Sequence, residues 1–318
     1  MKTVKENFGI VYMATADFAL PSLEALIEGG YNVQAVVTMP DKPAGRGMKL
    51  QASNIKKYAQ SVGIEVLQPE RLRDEAFVAR LRELAPDLGI VVAFRMLPEV
   101  VWSLPRLGTI NLHGSLLPRY RGAAPIHWAV MSGDEVTGVT TFQLKHELDM
   151  GDILQQAELI IPYTATTGQI HDEMKYLGAR VLCQTVDDIM SGQAVARPQT
   201  ALDIVPSVAP KLTKENTKID WGRPTTDLYN FVRGLCPYPS AWTELLIPGQ
   251  GKAVVLKVHA AEPLPSGAEH RGLPTGTVLI TGKNSLDVVC SDGILRLLQV
   301  QPAGKRSMSA EAYLNGLR

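Results

Sequence analysis

The hydrophobic positions in the first two thirds of the chain alternate between short continuous runs and helical spacing. Residues 20–27 repeat leucine and isoleucine at intervals of about three, which predicts a helix ending at Gly29 and Gly30. Fully apolar strands separated by helices indicate an α/β fold with a mostly parallel sheet, whose ligands bind beyond the strands' carboxyl ends. The remaining runs predict strands at 8–14, 33–38, 88–94 and 109–113, and helices at 54–62, 71–84 and 125–131.

The pattern changes after Val136. Strand-like runs at 139–145 and 153–161 are joined by a turn, and 168–190 is predicted to be one long helix. Residues 191–210 are irregular and contain three prolines, so we place a linker there. The short runs that follow predict a small β-barrel, for which an oligonucleotide-binding (OB) type is one candidate. They comprise a helix at 226–233 and strands at 241–247, 254–259, 276–280, 286–290 and 294–300.

The composition is that of an ordinary two-domain protein. The 318 residues exceed one typical core, and 45% apolar with 20% charged residues excludes wholesale disorder. No apolar run reaches the ~20 residues of a membrane span, and the polar N-terminus predicts no export signal. The three cysteines lie far apart, which is typical of reduced cytosolic thiols and offers no zinc spacing. We therefore expect a cytoplasmic protein with no metal and no membrane association.

The net charge is zero, but it is unevenly distributed along the chain. Residues 211–318 contain 13 Lys and Arg against 9 Asp and Glu, a net charge of +4, so residues 1–210 carry −4. A positive C-terminal third fits the binding of a polyanion, although differences of this size also arise by chance. The charge therefore favours a nucleic-acid partner only in combination with other features.

One segment combines residue types that suit acyl-transfer chemistry. It reads Asn-Leu-His-Gly-Ser-Leu-Leu-Pro at 111–118 and continues with Arg-Gly-Ala-Ala-Pro at 121–125. Residues two apart on a strand face the same side, so Asn111 and His113 present an amide and an imidazole together. The glycine and proline that follow turn the backbone and free its amide groups, as an acyl-transfer site requires. A strand-end Asn and His that only bond neighbouring backbone groups are the equally open alternative.

A second polar segment, Leu148-Asp149-Met150-Gly151-Asp152, forms the turn between two predicted strands. In the functional interpretation, one of its carboxylates reaches His113, holds the tautomer of the ring and raises its basicity. Asp and Gly are also ordinary turn residues, so a purely structural role stays open.

The segment 39–49 is richer in Pro, Gly and basic residues than a short strand-to-helix connection requires. A basic loop beside a strand end is suited to hold a phosphate-bearing substrate, and a solvated surface loop is the alternative. Its Gly45-Arg46-Gly47 piece lacks the Lys-Ser/Thr of a phosphate-binding P-loop.

Together these segments resemble the folate-dependent formyltransferases. The block at 111–125 is highly specific to that fold, and the turn at 148–151 is similar to the family's second signature. The resemblance spans nearly the whole chain, and four further features resemble the members that act on methionyl-tRNA. These are the loop at 39–49, Pro210-Lys211-Leu212, Ile219-Asp220-Trp221 and Gln301-Pro302-Ala303-Gly304-Lys305.

The resemblance implies a Rossmann-like formyltransferase domain at 1–190, a linker at 191–210 and an OB-type tRNA-binding domain at 211–318. The implied reaction transfers a formyl group from the co-substrate 10-formyltetrahydrofolate to the amino group of methionine on initiator tRNA, without a metal. We expect a monomer. The implied catalytic residues are Asn111, His113 and Asp149. The residues implied to line the folate site are Ser115, Leu116, Leu117, Pro118, Phe94, Met96 and Leu97. Those implied to contact tRNA are Lys42, Arg46, Lys49, Lys211, Lys305 and Arg306.

Two places depart from the family pattern. The first strand ends at Ala14, where the family usually has a Gly-Thr-Pro type of turn. The segment Phe94-Arg95-Met96-Leu97-Pro98 is shorter and more basic than the usual loop with Tyr-Gly. Both departures concern contacts with the pterin and leave the expected reaction unchanged.

Three other functions fit parts of the sequence. A formyltransferase for another amine, such as a nucleotide-linked amino sugar or glycinamide ribonucleotide, would not require the basic loop and the basic C-terminal region together. A non-catalytic RNA-binding protein would have no need for Asn111, His113 and Asp149 at once. A nicotinamide oxidoreductase would carry Gly-x-Gly-x-x-Gly after its first strand, where this chain has Ala14-Thr15-Ala16-Asp17-Phe18-Ala19.

Overall fold

The strands of the first two thirds of the chain assemble into one seven-stranded sheet. The computed structural model describes residues 4–44, 49–264, 272–281 and 285–317. Up to residue 209 the strands are β1 (Gly9–Ala14), β2 (Asn32–Val37), β3 (Lys42–Ala44), β4 (Lys49–Gln51), β5 (Glu65–Leu67), β6 (Leu88–Val92), β7 (Thr109–His113), β8 (Arg121–Gly122), β9 (Val136–Gln143), β10 (Ile153–Ile160) and β11 (Val208–Ala209). The helices are α1 (Val4–Asn7), α2 (Leu20–Glu28), α3 (Asn54–Ser61), α4 (Glu75–Leu84), α5 (Glu99–Trp102), α6 (Pro125–Met131) and α7 (Thr167–Ser191), with 3-10 turns at Asp17–Ala19 and Gln199–Ala201.

The strand order of this sheet is β10-β9-β7-β6-β1-β2-β5. β1 pairs in parallel with β2 and β6, β2 with β5, and β6 with β7, whereas β9 pairs with β7 in the antiparallel sense. The prediction of a mostly parallel sheet is therefore confirmed. Every residue of β1 and β6 is buried, which is the pattern of strands covered on both faces.

Helix α4 shows how one face of the sheet is covered. Asp74 caps its first turn by accepting hydrogen bonds from two backbone N–H groups, so the helix begins at Glu75, later than the predicted residue 71. Its Phe77, Val78 and Leu81 are buried in a cluster with apolar residues of β1, β2 and β6. Burial of each such side chain contributes about 1.5–3 kcal/mol, which attaches α4 to the sheet.

The parallel strands end at one edge of the sheet. Ala14, the last residue of β1, pairs with Val92 of β6, and Val92 pairs with Leu112 of β7. The basic segment that follows β2 contains a small antiparallel ribbon of β3 and β4 where the sequence predicted only a loop. Arg46, predicted to contact tRNA, lies outside the described residues.

The last third of the chain forms an antiparallel sheet with a helix packed on it. The sheet has the order β12-β13-β16-β15-β14, with β17 paired to β16, and its buried residues share a core with Leu228, Phe231 and Val232. This curled half-barrel is consistent with the small barrel predicted from the sequence. Its elements are α8 (Thr225–Gly234), β12 (Ala241–Leu245), β13 (Val254–Leu264), β14 (Val278–Thr281), β15 (Ser285–Val289), β16 (Ile294–Pro302), β17 (Met308–Ser309) and α9 (Ala310–Asn315).

The chain forms two compact units whose segments alternate along the sequence. The first contains residues 1–122, 138–159 and 171–208, and the second contains 123–137, 160–170 and 209–318. The predicted boundaries at 190 and 211 remain a prediction. Within the described ranges, no helix combines the length and apolar character needed to cross a membrane.

Candidate active site

Asn111 lies in the second half of β7 and is half-buried, opposite Phe142 of the antiparallel neighbour β9. Its side-chain amide has no hydrogen-bond partner within the part of the chain that the structure describes. The alternative in which this amide satisfies neighbouring backbone groups is therefore not what the structure shows. The amide is available to donate a hydrogen bond to a ligand.

His113, two residues further along β7, is buried, with 7% of its surface exposed. Its Nε2 lies 2.9 Å from the carbonyl oxygen of Tyr120, and its ring meets the Phe142 ring edge-on with centroids 6.4 Å apart. Because a carbonyl oxygen only accepts, Nε2 carries the hydrogen. The neutral ring then has its lone pair at Nδ1, which makes Nδ1 the atom that can take a proton from a substrate.

Asp149 lies in the turn between β9 and β10 and is also 7% exposed. Its backbone is in the left-handed region, with φ of 52°, and its Oδ2 accepts a hydrogen bond of 2.8 Å from the backbone N–H of Gly122. Among the described residues no hydrogen bond or ion pair joins this carboxylate to His113, so the predicted direct contact is wrong. The Tyr120 carbonyl holds the tautomer of the ring instead, because it occupies Nε2.

The turn at Asp149 is bonded to Gln199, a residue that sequence reasoning missed. Gln199 is 4% exposed, and its Nε2 donates to the carbonyl oxygens of Asp149 at 2.8 Å and Gly151 at 2.9 Å. Its Oε1 accepts from Nε and Nη2 of Arg121, at 3.1 and 2.6 Å. Arg121 stands inside the motif block and could have been found there, whereas Gln199 lies in the predicted linker and carries no local signal.

The loop after β7 is held by a buried hydroxyl. The Thr140 Oγ1 donates to the Ser115 carbonyl oxygen at 2.7 Å and accepts from the Leu117 backbone N–H at 3.1 Å. Ser115 and Leu117 are fully buried: the Ser115 hydroxyl donates to the Arg119 carbonyl oxygen, and the Leu117 side chain packs with Phe142. Of the residues predicted to line the folate site here, Leu116 alone is half-buried, while Pro118 is buried.

The residues predicted to line the folate site in the loop after β6 differ from one another in exposure. Met96 is 75% exposed, Phe94 is half-buried and Leu97 is buried in the cluster under α4. Arg95 donates to the carbonyl oxygens of Pro69 and Glu70, and burial lowers the pKa of its guanidinium. This arginine therefore anchors the loop to the chain that precedes α4.

Four of the side chains predicted to contact tRNA are exposed. Among the described residues they form no ion pair, which leaves their charges available to a polyanion; they are Lys42, Lys211, Lys305 and Arg306. The side chain of Lys49 and the whole of Arg46 lie outside what the structure describes. Within the described ranges, no cluster of three His, Cys, Asp or Glu side chains is arranged to hold a metal ion.

Comparison with solved structures shows the same fold in other proteins. The sugar 3N-formyltransferase WlaRD has a TM-score of 0.64 at 15% identity, covering 94% of this chain and 99% of its own. HypX from Aquifex aeolicus, in complex with tetrahydrofolic acid, has a TM-score of 0.63 at 19% identity, covering 97% of this chain and 47% of its own. At these identities the similarity concerns the fold alone.

Comparison of amino-acid sequences identifies the family, which the comparison of folds does not. A methionyl-tRNA formyltransferase of Parabacteroides distasonis is 54% identical over 320 residues, covering 99% of this chain and 97% of the relative. One of Bacteroides fragilis is 50% identical over 314 residues, covering 98% and 96%. The formyl transferase family model matches residues 8–186, and the model of the formyl transferase C-terminal domain matches 211–318. The chain belongs to the formyl transferase family.

Proposed function

We propose that this chain transfers the formyl group of 10-formyltetrahydrofolate to the amino group of methionine carried by initiator tRNA. The observation that carries this proposal is the identity of 54% and 50%, over nearly the full length, to relatives named methionyl-tRNA formyltransferase. Both family models match, so the likeness includes the C-terminal region as well as the catalytic part. We further propose that the protein is a monomer and acts in the cytoplasm.

The proposed catalytic residues are Asn111, His113 and Asp149. An α-amino group has a pKa of about 7.7–8, so a useful fraction of the acceptor is neutral at pH 7 and can attack the formyl carbon. The unpartnered amide of Asn111 is suited to donate to the oxyanion that forms, and Nδ1 of His113 is suited to take the surplus proton of the amine. The bond from the formyl carbon to N10 of the folate then breaks, the proton held at Nδ1 of His113 passes to N10, and the formyl group remains on the amine while tetrahydrofolate leaves.

Polar groups without partners support a polar donor at this edge of the sheet. The Thr15 Oγ1, directly after β1, is buried without a hydrogen-bond partner among the described residues, as is the Arg95 Nε after β6. 10-Formyltetrahydrofolate supplies the activated formyl carbon and a ring system rich in hydrogen-bonding groups. We propose Leu116, Phe94 and Met96 as the side chains that meet it, while Ser115, Leu117, Pro118 and Leu97 shape the loops from within.

The tRNA acceptor is supported by the exposed cations of the basic segment and of the C-terminal region. The ammonium groups of Lys214 and Lys218 lie 5.1 and 5.0 Å from the centre of the half-buried Trp242 ring. Lysines beside an aromatic ring on a region with a net charge of +4 suit a phosphate backbone. We propose Lys42, Arg46, Lys49, Lys211, Lys305 and Arg306 as tRNA contacts.

A formylation assay with three acceptors tests the function. The purified chain is incubated with 10-formyltetrahydrofolate and, separately, initiator methionyl-tRNA, free methionine and a nucleotide-linked amino sugar. We expect formylation of the charged tRNA alone, with uncharged tRNA as the blank. Formylation of the sugar without formylation of the tRNA would replace the proposed acceptor, and no transfer to any of the three would refute the proposal.

A further inference from the structure

Gln199 is buried and uses its whole amide group within the first compact unit. Both N–H groups of Nε2 are directed at carbonyl oxygens of the turn between β9 and β10, those of Asp149 and Gly151. Its Oε1 accepts two hydrogen bonds from the Arg121 guanidinium. Such a fully satisfied buried amide specifies one arrangement of the segments that it joins.

The backbone of Asp149 is stabilised by its surroundings. The left-handed region is less favourable than the right-handed region for a non-glycine residue, although Asp adopts it more readily than most, and contacts that fix the turn favour the φ of 52°. The two N–H donors of Gln199 bond the carbonyls on either side of Met150, which restrains the backbone at that point. Without them, two buried carbonyl oxygens would lose their partners.

The oxygen of the same amide binds Arg121, which is next to Gly122 in the chain. Arg121, held by Gln199, is followed directly by Gly122, whose N–H donates to the Asp149 carboxylate. Residue Tyr120 precedes Arg121, and its carbonyl fixes the His113 ring. Gln199 therefore contacts Asp149 itself and Arg121, the residue directly before Gly122.

We propose that Gln199 is a positioning residue that keeps the Asp149 carboxylate on the Gly122 N–H and so keeps the 120–122 backbone in place under His113. Its kinetic consequence rests on the function proposed above, but the geometry does not. Gln199 itself touches no reacting atom. It acts through its hydrogen bonds to Asp149 and Arg121.

The test compares Gln199→Glu with Gln193→Glu, the same change at an exposed position six residues earlier. The introduced carboxylate at 199 still accepts from Arg121, but it turns an oxygen toward two carbonyl oxygens. Because misplacing a reacting group by about 1 Å can cost about 100-fold, we expect kcat to fall about 10- to 100-fold with KM for both substrates little changed. Gln193→Glu should behave as the wild type.

A pH profile and a double variant separate positioning from a general loss of structure. A protonated carboxyl donates one hydrogen bond, so the activity of Gln199→Glu relative to wild type should rise as the pH falls. Combined with Asp149→Asn, the Gln199→Glu change should add little to the loss already present, because it acts through Asp149. Fully multiplicative losses would contradict the proposal. If Gln199→Glu does not fold, Gln199→Met removes the same donors without adding a charge and takes its place.

Amide hydrogen exchange of Gly122 provides a readout that needs no acceptor substrate. Its exchange should be slow in the wild type, faster in Gln199→Glu and unchanged in Gln193→Glu. A wild-type chain that formylates no tRNA would refute the proposed function and leave this measurement intact. Unchanged Gly122 exchange, or unchanged kcat in a tRNA-active enzyme, would overturn the role of Gln199.

Discussion

His113 and Asp149 bind the same stretch of backbone at points two residues apart. The ring of His113 donates to the carbonyl oxygen of Tyr120, and the carboxylate of Asp149 accepts from the N–H of Gly122. The two side chains come from β7 and from the turn after β9, and both are buried. The backbone at 120–122 therefore links the two side chains.

Replacing Asn111 by alanine should nearly abolish formyl transfer while leaving the fold intact. Removal of one oxyanion-stabilising donor typically costs about 3–4 kcal/mol of transition-state stabilisation, or 100- to 1,000-fold in kcat. The amide makes no hydrogen bond within the described chain, so its loss removes no internal hydrogen bond. Steady-state formylation kinetics and thermal unfolding are the measurements. Asn315→Ala, at an exposed position of α9, is the matched control, and wild-type turnover of Asn111→Ala would refute the assignment.

Asp149→Asn should retain more activity than Asp149→Ala. Asparagine keeps an oxygen for the Gly122 N–H and tolerates the left-handed backbone, whereas alanine offers neither. Hydrogen bonds to a charged acceptor are roughly twice as strong as neutral ones, so the asparagine variant should still fall below wild type. The kcat values of both variants decide this, with the exposed Asp203→Asn as control. Equal losses would show that the charge itself, rather than the contact with Gly122, is what catalysis requires.

Gly151→Ala should destabilise the first compact unit. A β-carbon at Gly151 would overlap the carbonyl oxygen of Gln143, and backbone cannot move aside as a flexible side chain would. Overpacking of this kind costs typically 1–3 kcal/mol, to be measured as a lower midpoint of urea unfolding. Gly251→Ala meets open space and should unfold like the wild type. Equal stability of the two variants would contradict the close approach.

The ion pair of Asp41 and Lys56 should make stability depend on pH in the acidic range. Lys56 Nζ lies 2.7 Å from Oδ2 of Asp41, and this contact, with a hydrogen bond from Gln68, lowers the pKa of the carboxyl. Because the pKa is lower in the folded state, the stabilisation is fully present above the ordinary Asp pKa of about 3.9 and is lost as the pH falls through the folded value.

Lys56→Met should therefore raise the Asp41 pKa, and its deficit in urea unfolding at pH 7 should disappear at low pH. An NMR titration of the Asp41 carboxyl carbon measures the first effect directly. Lys57→Met, at the exposed neighbouring position, should change neither quantity. A Lys56→Met variant whose Asp41 titrates as in the wild type would contradict the assigned cause.

The strands and helices near the proposed site can be predicted from the local sequence, because the order of apolar and polar residues shows which positions are buried. The apolar run of β7 and the helix at 125–131 were predicted with the bounds that the structure has. Asn111 and His113 were placed on one strand because side chains alternate along it. The short strands β3, β4 and β5 escaped prediction, since three residues are too few for a period to be visible.

The sequence by itself determined the two kinds of sheet, the residues that carry the proposed chemistry and the resemblance to the formyl transferases, because all of these lie in contiguous patterns. Tertiary structure alone decided that Asp149 bonds Gly122, 27 residues away, and that Gln199 bonds Asp149 from 50 residues away. The partner of a side chain at such separations depends on which strands neighbour each other and on where the turns between them fold. No local preference encodes that choice, so the carboxylate predicted to contact His113 binds the backbone beside it instead.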